Sequence, residues 1–554
     1  MSIKATSDVW WKNAVVYCLD VETFLDSDGD GCGDLRGLTD RLDYLAGLGV
    51  SCLWLMPFYP SRQRDDGYDI TDFYGIDGRL GTPGDFAELI RTAADRGIRV
   101  IADLVVNHTS DQHPWFRSGR DRDSPYHAFY VWADEKPEEK PGDVVFPDRE
   151  QSNWAYDQKA RQWYLHRFYS HQPDLNVAAP DVRDEIAQVV GYWLTQGLAG
   201  FRVDAVPFLV EPTGMPEGAL QDPHELLRDL RRFMGRRRGD AILMGEVNLP
   251  PDQQRAFFGD EDGDELHMIL SFVINQAMYL ALARGDASPL REALESLPEI
   301  PEDCQWANFV RNHDELTLDK LGEDERAEVF AAFGPEEELQ LYGRGLRRRL
   351  PTMVGGDERR IRMLYSLAFA LPGTPVLFYG EEIAMAENLA IPGRYSVRAP
   401  MQWSDDRHGG FSTAPDGAEL CRPMVDADGW GPARVSAAAQ RRDPGSLLNW
   451  MERLIRRRHE CPELGWGRCT ILDAGHGAVL CHRVDWEEST VLALHSFADE
   501  RLEARVGLEP EVVHAVDLFD GEHATPSDGT LEVGLDPYGA RWFRLRRDGQ
   551  RLPP

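Results

Sequence analysis

The sequence predicts an α/β protein: a (β/α)8 TIM barrel with a subdomain inserted after the third strand and an antiparallel β-domain at the C-terminus. Three observations predict it. Eight short apolar runs recur between residues 15 and 378, amphipathic stretches with apolar residues at three-to-four spacing separate them, and several runs end in polar and charged clusters. Parallel strands joined by crossover helices produce this alternation.

In chain order the expected strands are 15–21, 52–56, 100–105, 200–206, 242–247, 268–272, 307–310 and 375–378. The helical patterns include 35–48, 83–96, 181–194, 223–236 and 358–370. Eight strand–helix units over about 450 residues exceed the minimal barrel, so insertions belong in the strand-to-helix loops, where this fold carries its active site. The largest, 108–177, is rich in Pro, Asp, Trp and Tyr and reads as a small irregular subdomain walling a cleft. A second, 380–441, follows the eighth strand. After a helix at 444–458, short alternating runs at 470–472, 477–483, 490–496 and 540–545 read as antiparallel strands. The expected division is therefore a barrel from 1–107 and 178–465, an inserted subdomain at 108–177, and a β-sandwich-like domain at 466–554 that covers one side of the barrel.

Composition narrows the function classes. A chain of 554 residues, 42% hydrophobic, can bury one large core and one or two smaller ones. A formal charge of −34 repels phosphate backbones and anionic membranes, which argues against nucleic acid and membrane partners. No stretch approaches the roughly 18 apolar residues of a membrane span. The polar stretch 1–9 lacks a secretory h-region, so a cytoplasmic protein is expected. Eight cysteines without CxxC pairs or zinc-site spacing read as free thiols of a reducing compartment. The dense basic run 344–349, with Arg359 and Arg360 after it, reads as a solvated helix face flanked by acids. A homo-oligomer is compatible with all of this.

Polar residues at strand ends carry the chemistry. The third strand ends IADLVVNH with Asp103, Asn107 and His108; the fourth gives GFRVDAVPF with Arg202 and Asp204. The fifth gives ILMGEVN with Glu246, and the seventh FVRNHDE with His313 and Asp314. One carboxylate after a strand is often the N-cap of the next helix. Three carboxylates, two histidines and an arginine at four strand ends all point into one mouth. The set suits glycosidic chemistry, in which one carboxylate attacks the anomeric carbon while a protonated carboxyl group serves the leaving oxygen. Arg202, on the same strand face as Asp204, would keep a nucleophile ionised. Glu246, after an apolar run, could have the raised pKa an acid needs.

These motifs resemble the α-amylase superfamily of glycoside hydrolases (family 13) across roughly residues 10–465. DLVVNH (103–108), GFRVDAVPF (200–208), GEVN (245–248) and RNHDE (311–315) look like its four central motifs in their usual order. HQPDLN (171–176) and GTPVLFYGEE (373–382) resemble two more. The resemblance implies Asp204 as nucleophile, Glu246 as acid/base and Asp314 as the third carboxylate, with Arg202, His108 and His313 lining the same subsite. Asp65 and Tyr68, in RDDGYDI, match the family's pocket-closing pair, and Arg398, in VRAPMQW, a pocket arginine of exo-acting members.

The segment Asp26-Ser27-Asp28-Gly29-Asp30-Gly31-Cys32-Gly33-Asp34 sets oxygen ligands at alternate positions with glycines between, a spacing that can wrap one hard cation. It is not an EF-hand, because Gly37 stands where the bidentate Glu should be. The resemblance agrees, implying structural calcium on Asp26, Asp28, Asp30, Asp34 and the Cys32 carbonyl. A second family site would use Asn107, Asp174, Glu211 and carbonyls near Leu209. No organic cofactor is expected.

QPDLN is typical of the α-glucosidase, oligo-1,6-glucosidase and trehalose synthase branch, which implies small α-glucosides such as maltose or trehalose. DQHPWF, RNHDELTL, GLRRRLPTMVGGDERRI and VRAPMQWS resemble the trehalose synthase members of that branch, which implies isomerisation of maltose to trehalose through a glucosyl-enzyme. An exo-acting α-glucosidase or transglucosidase is the alternative. A sugar-binding barrel without catalysis is remote, since nothing in folding requires all three carboxylates. Isomerisation and hydrolysis differ in how well the lid keeps water from the intermediate. The lid segment 385–396, MAENLAIPGRYS, departs from the trehalose synthase pattern.

Overall fold

The computed structural model describes residues 9–139, 144–210, 222–415, 417–427 and 429–549. Eight strands, β1 (Val16–Leu19), β2 (Cys52–Leu55), β3 (Arg99–Leu104), β4 (Gly200–Val203), β5 (Ile242–Gly245), β6 (Met268–Leu270), β7 (Gln305–Phe309) and β8 (Thr374–Phe378), close into one barrel. Each pairs in parallel with its sequence neighbours, and β8 returns to β1. Nearly every strand residue is buried, because helices cover the outside and side chains fill the inside, so the strands read as continuous apolar runs.

All eight expected strands are present. Several stop short of the expected end, and the reason lies in the mouth: the run expected at 200–206 leaves the ladder after Val203, where Asp204 turns inward and Ala205 adopts φ 48°. The helix expected at 35–48 is two, Leu35–Asp40 and Leu42–Leu48, broken at Arg41 (φ −101°, ψ 3°). Pro83–Asp95 begins with a Thr82/Asp85 capping box, and Ser446 caps Leu447–His459, leaving Pro444 outside that helix.

The inserted segment carries a three-stranded antiparallel sheet of Trp132–Ala133, Gln162–Leu165 and Trp154–Asp157. Bridges from His108 to Asp174 and from Tyr130 to Leu175 join the segment's two ends at the barrel rim. At the C-terminus a six-stranded sheet and the pair Leu502–Gly507 with Thr530–Leu535 enclose a separate apolar core. This unit docks on the barrel helix Glu358–Ala370: the Trp542 indole donates to the Ser366 hydroxyl at 3.0 Å, and His482 meets the Ala370 carbonyl at 2.9 Å. Among the described residues no helix is long and apolar enough to cross a membrane.

The basic run 344–349 is not a solvated helix face. Gly345–Leu346 is a strand pairing with Leu316–Thr317 and Gln340–Leu341, and the arginines after it grip the insertion that follows β8. Arg347 donates to the carbonyls of Leu389 and Ile391. Arg348 and the Arg349 backbone N–H bond Glu387. The Arg349 guanidinium, 2% exposed, donates to the carbonyls of Tyr379 and Val397 at 2.7–2.9 Å. Irregular backbone buried at the mouth needs donors, and these arginines supply them.

Candidate active site

Arg202, on β4 and buried, organises the carboxylates at the mouth. Its Nη1 lies 2.6 Å from Asp103 Oδ1 and 2.5 Å from Asp204 Oδ1, and its Nη2 lies 2.6 Å from Glu246 Oε2. The Trp54 indole donates to the other Asp103 oxygen at 2.8 Å, so Asp103 is satisfied inside the barrel and holds Arg202 from below. Asp204 and Glu246 therefore share neighbouring nitrogens of one planar guanidinium. Such sharing keeps the two carboxyl groups close, as the spacing of about 5–5.5 Å for retaining chemistry requires. The Ala205 N–H donates to Glu246 Oε2 at 3.1 Å, which a positive φ at this non-glycine residue makes geometrically available.

A second group of polar side chains is built around Asp314. His313 Nε2 lies 3.2 Å from Asp314 Oδ2 and 2.9 Å from the Tyr68 hydroxyl, while His108 Nε2 meets the Tyr68 carbonyl at 3.1 Å. Asp204, Glu246, Asp314, Asp65, Tyr68 and His108 all line one cavity of ≈ 510 Å³, within the size range of small-ligand sites.

Two placements correct the sequence reading. Arg398 is fully buried and stands behind the cavity: it pairs with Asp66, donates to Asp314 Oδ1 at 2.8 Å, and bonds the His313 carbonyl at 2.7 Å. The lid segment instead brings Arg394 to the cavity, which Arg344 also lines; Arg394 Nη1 meets Asp314 Oδ1 at 2.8 Å and its Nη2 meets Asp65 Oδ1 at 2.6 Å. Asp65 also accepts from the Tyr395 hydroxyl at 2.7 Å and from the Gln172 amide at 2.8 Å. Asp66, the second carboxylate of RDDGYDI, carries Arg398 and Arg422. Sequence reasoning missed Arg394, Tyr395, Asp66 and Arg422. The only signal was the Arg-Tyr pair in a lid segment that matches no familiar pattern.

The cavity is also lined by Asn248, Asp319, Lys320, Thr317 and aromatic residues including Phe208 and Phe146, the latter 5.1 Å from the Arg394 guanidinium. The Asn248 amide donates to both Asp319 oxygens at 3.0 and 3.2 Å, and Lys320 and Gln276 donate to the same carboxylate. Asn248 lines the cavity, and its Oδ1 is buried without a protein partner among the described residues.

Burial acts on all three carboxyl groups in the same sense, and their neighbours decide the outcome. It pushes Asp204 up to about 6 against the pull of Arg202, and it raises Glu246, with Asp204 and Asp314 adding to the rise. Burial acts on Asp314 in the same sense, but Arg394, His313 and Arg398 outweigh it and hold Asp314 well below the usual carboxylate range. His108 is pushed down to about 4 and His313 also falls, both by burial, so both rings are neutral hydrogen-bonding groups. Burial thus raises two neighbouring carboxyl groups, Asp204 and Glu246, while Asp314 is held as an anion by its cationic neighbours.

In the acidic loop, carboxylate oxygens of Asp26, Asp28 and Asp34 lie within 4.8 Å of one another. Gly29 and Gly31 take φ 81° and 95° to turn the chain there, and their N–H groups donate to Asp26. Asp30 is not in the cluster, and its carboxylate accepts the Cys32 N–H at 2.8 Å. Of the second set, Asn107 and Leu209 are buried, and Asp174 faces the Arg167 guanidinium at 3.6 Å and accepts its backbone N–H at 3.1 Å. That cation stands where a metal would compete, and Glu211 lies outside the described residues.

Comparison with known proteins agrees with this geometry. The α-amylase catalytic-domain family matches residues 20–332 and 346–467, and the sucrose hydrolase-like C-terminal domain matches 489–544. A trehalose synthase/amylase of Mycolicibacterium smegmatis is 43% identical over 98% of this chain and 93% of its own length. A trehalose synthase of Thermus thermophilus is 41% identical over 97% of this chain, which spans 56% of that relative's length. The crystal structure of the trehalulose synthase MutB from Pseudomonas mesoacidophila superposes with TM-score 0.75 at 26% identity, covering 97% of this chain and 99% of that one. With the barrel closed, the strand-end carboxylates gathered on Arg202 and the catalytic-domain family matching most of its length, the chain belongs to the α-amylase family (family 13) of glycoside hydrolases.

Proposed function

We propose that the protein is a trehalose synthase-like enzyme that converts maltose to trehalose by intramolecular glucosyl transfer. The observation that carries the reading is the closure of the glucosyl pocket by Arg394, which spans Asp65 and Asp314 from the segment after β8. A pocket shut at that end accepts one terminal glucosyl unit and suits a disaccharide rather than a polymer. Asp204 attacks C1 while protonated Glu246 gives its proton to the glycosidic oxygen, and the C1–O bond breaks to leave a glucosyl-Asp204 ester and a free glucose retained in the cavity. Glu246, now a carboxylate, takes the proton from the anomeric hydroxyl of that glucose as its oxygen attacks C1. This reforms free Asp204 and yields a disaccharide with retained configuration at the transferred centre. Asn248, held by Asp319 at the cavity wall, would lie beside the glucose between the two steps. The lid segment differs in sequence from the expected pattern, yet it brings Arg394 to the cavity and Tyr395 onto Asp65 and is clamped by Arg347, Arg348 and Arg349, a fixed wall that would favour exclusion of water from the intermediate.

Purified protein given maltose should yield trehalose in excess of glucose by carbohydrate chromatography. Glucose alone would assign the α-glucosidase alternative. No change in maltose, panose, isomaltose or sucrose would reject an exo-acting enzyme altogether.

The reading includes a structural calcium ion. Asp26, Asp28 and Asp34 would hold it, a charge set that suits a hard oxygen-seeking cation and would relieve their mutual repulsion. The free cysteines, most of them buried, suit the reducing interior of a cell, where we place the protein.

A further inference from the structure

The chain has eight cysteines, and the fold brings two of them together. Cys32 lies in the acidic loop after β1, Cys421 in the insertion after β8. The Cys421 N–H donates to the Gly31 carbonyl at 2.8 Å, and Gly31 is the residue before Cys32. One hydrogen bond and the covalent bonds on either side of it separate the two Cα atoms, a span of roughly 7 Å if fully straightened, which bent bonds bring within the roughly 4.4–6.8 Å that disulfides use. The side chains meet as well: the two thiols are in hydrogen-bonding contact. None of the other six cysteines has a second thiol in such contact among the described residues.

The surroundings hold both sulfurs. Arg79 Nη1 donates to Cys32 Sγ at 3.9 Å, and the Cys421 thiol donates to the Glu22 carbonyl at 3.2 Å. The two segments are already joined by the Asp26 N–H on the Phe411 carbonyl at 2.9 Å and by the Ser412 hydroxyl on Asp26 at 2.5 Å. A Cβ at Gly31 would come within 2.6 Å of the Glu419 carbonyl, so glycine there permits the close approach. The segments are thus in register before any bond forms. Cys32 is buried, whereas Cys421 is half-buried and open to a small oxidant.

We propose that Cys32 and Cys421 are an oxidisable pair that closes to a disulfide when the protein meets a hydroperoxide, cross-linking the first barrel loop to the insertion after β8. The Cys421 sulfur attacks one peroxide oxygen, the O–O bond breaks, and the other oxygen leaves as water with the thiol proton, making Cys421 a sulfenic acid. The Cys32 sulfur then attacks the Cys421 sulfur, the S–O bond breaks, and the hydroxyl group leaves as a second water with the Cys32 proton. Two electrons pass from the sulfur pair to the peroxide. Contact with the Cys32 thiol, together with burial, raises the Cys421 pKa well above its ordinary value, so closure is slow and the pair rests as a dithiol under reducing conditions. The bond would also brace the back of the catalytic pocket, because Arg422, next in the chain, pairs with Asp66, which carries Arg398, and Arg398 donates to Asp314.

The test treats the full chain with excess hydrogen peroxide, alkylates the remaining thiols, and reads a digest made without reductant by mass spectrometry, beside a melting curve. A peptide joining Cys32 to Cys421 is expected, with a Tm above that of the reduced protein by at least about 2 °C, since the bond restrains a long loop of the unfolded chain. Dithiothreitol should reverse both changes, which oxidised methionine would not allow. Cys421→Ser should lose the linkage and the Tm rise together, and Cys32→Ala should do the same and serves if the first variant does not fold. Neither readout depends on which glucoside the enzyme turns over. Absence of the Cys32–Cys421 peptide from the oxidised folded protein, a linked protein whose Tm does not rise, or a Tm rise that persists in either variant would overturn the proposal.

Discussion

Asp204 is where function and stability oppose each other. Burial raises its pKa to about 6, so above that pH the folded protein carries a charge it would shed if it could. A raised carboxyl pKa means that the folded state binds more protons than the unfolded one between roughly pH 4 and 6, and stability falls as pH rises through that window. Asp204→Asn removes the nucleophile and the buried charge together, leaving Arg202 paired with Asp103 and Glu246. Turnover of maltose should drop by at least about four orders of magnitude, whereas stability at neutral pH should rise by on the order of 2 kcal/mol, read as a higher Tm. Retained activity would refute the nucleophile assignment. The same shifts shape the pH profile: the rate should climb as pH rises through about 6, when Asp204 ionises, and fall again once Glu246, also raised by burial, loses its proton. A profile of kcat/KM flat between about pH 5 and 7 would contradict this division of roles.

Arg394 shows how an element can serve a site that its own sequence does not advertise. The segment after β8 has little regular structure, and its shape comes from outside, from Arg347, Arg348 and Arg349 holding its carbonyls and Glu387. Arg394→Ala should therefore leave the fold intact, because Asp65 keeps Tyr395 and Gln172 while Asp314 keeps Arg398. We expect kcat/KM for maltose to fall by about tenfold or more, since a charge-assisted contact is worth roughly 1.5–3 kcal/mol. The glucose-to-trehalose ratio should rise as water enters. An unchanged product ratio would show that the lid does not control hydrolysis. Here the alternating pattern of strands was legible because burial on both faces writes itself as apolar runs, whereas the arginine run misled: charge alone does not tell solvent from a wall of backbone carbonyls.

Across the whole molecule, three parts meet at one face: the barrel mouth, the inserted sheet, and the insertion after β8 that also touches the acidic loop. The Asp26 N–H donates to the Phe411 carbonyl and the Ser412 hydroxyl to Asp26, so a cation on Asp26, Asp28 and Asp34 would tie the first barrel loop to the last. Removing it with a chelator should lower Tm and restoring calcium should raise it again, by RT ln(1 + [L]/Kd) in free energy. No change on chelation would remove calcium from the account. The C-terminal unit stands apart from that face, docked through Trp542 and His495 on the helix Glu358–Ala370.

The order of amino acids alone identified the barrel and the carboxylates Asp204, Glu246 and Asp314, because strand burial and strand-end polarity are local patterns with short periods. It also named Arg202 and His313 as partners, since each is within two residues of a catalytic carboxylate. Only the tertiary structure decided that Arg394 rather than Arg398 closes the pocket, that Asp66 rather than Asp65 anchors Arg398, and that Asp174 meets Arg167. Those pairings join residues up to 332 positions apart, and long-range charge pairing is settled by which oxygen each guanidinium reaches once the loops are packed, a fact no local pattern encodes.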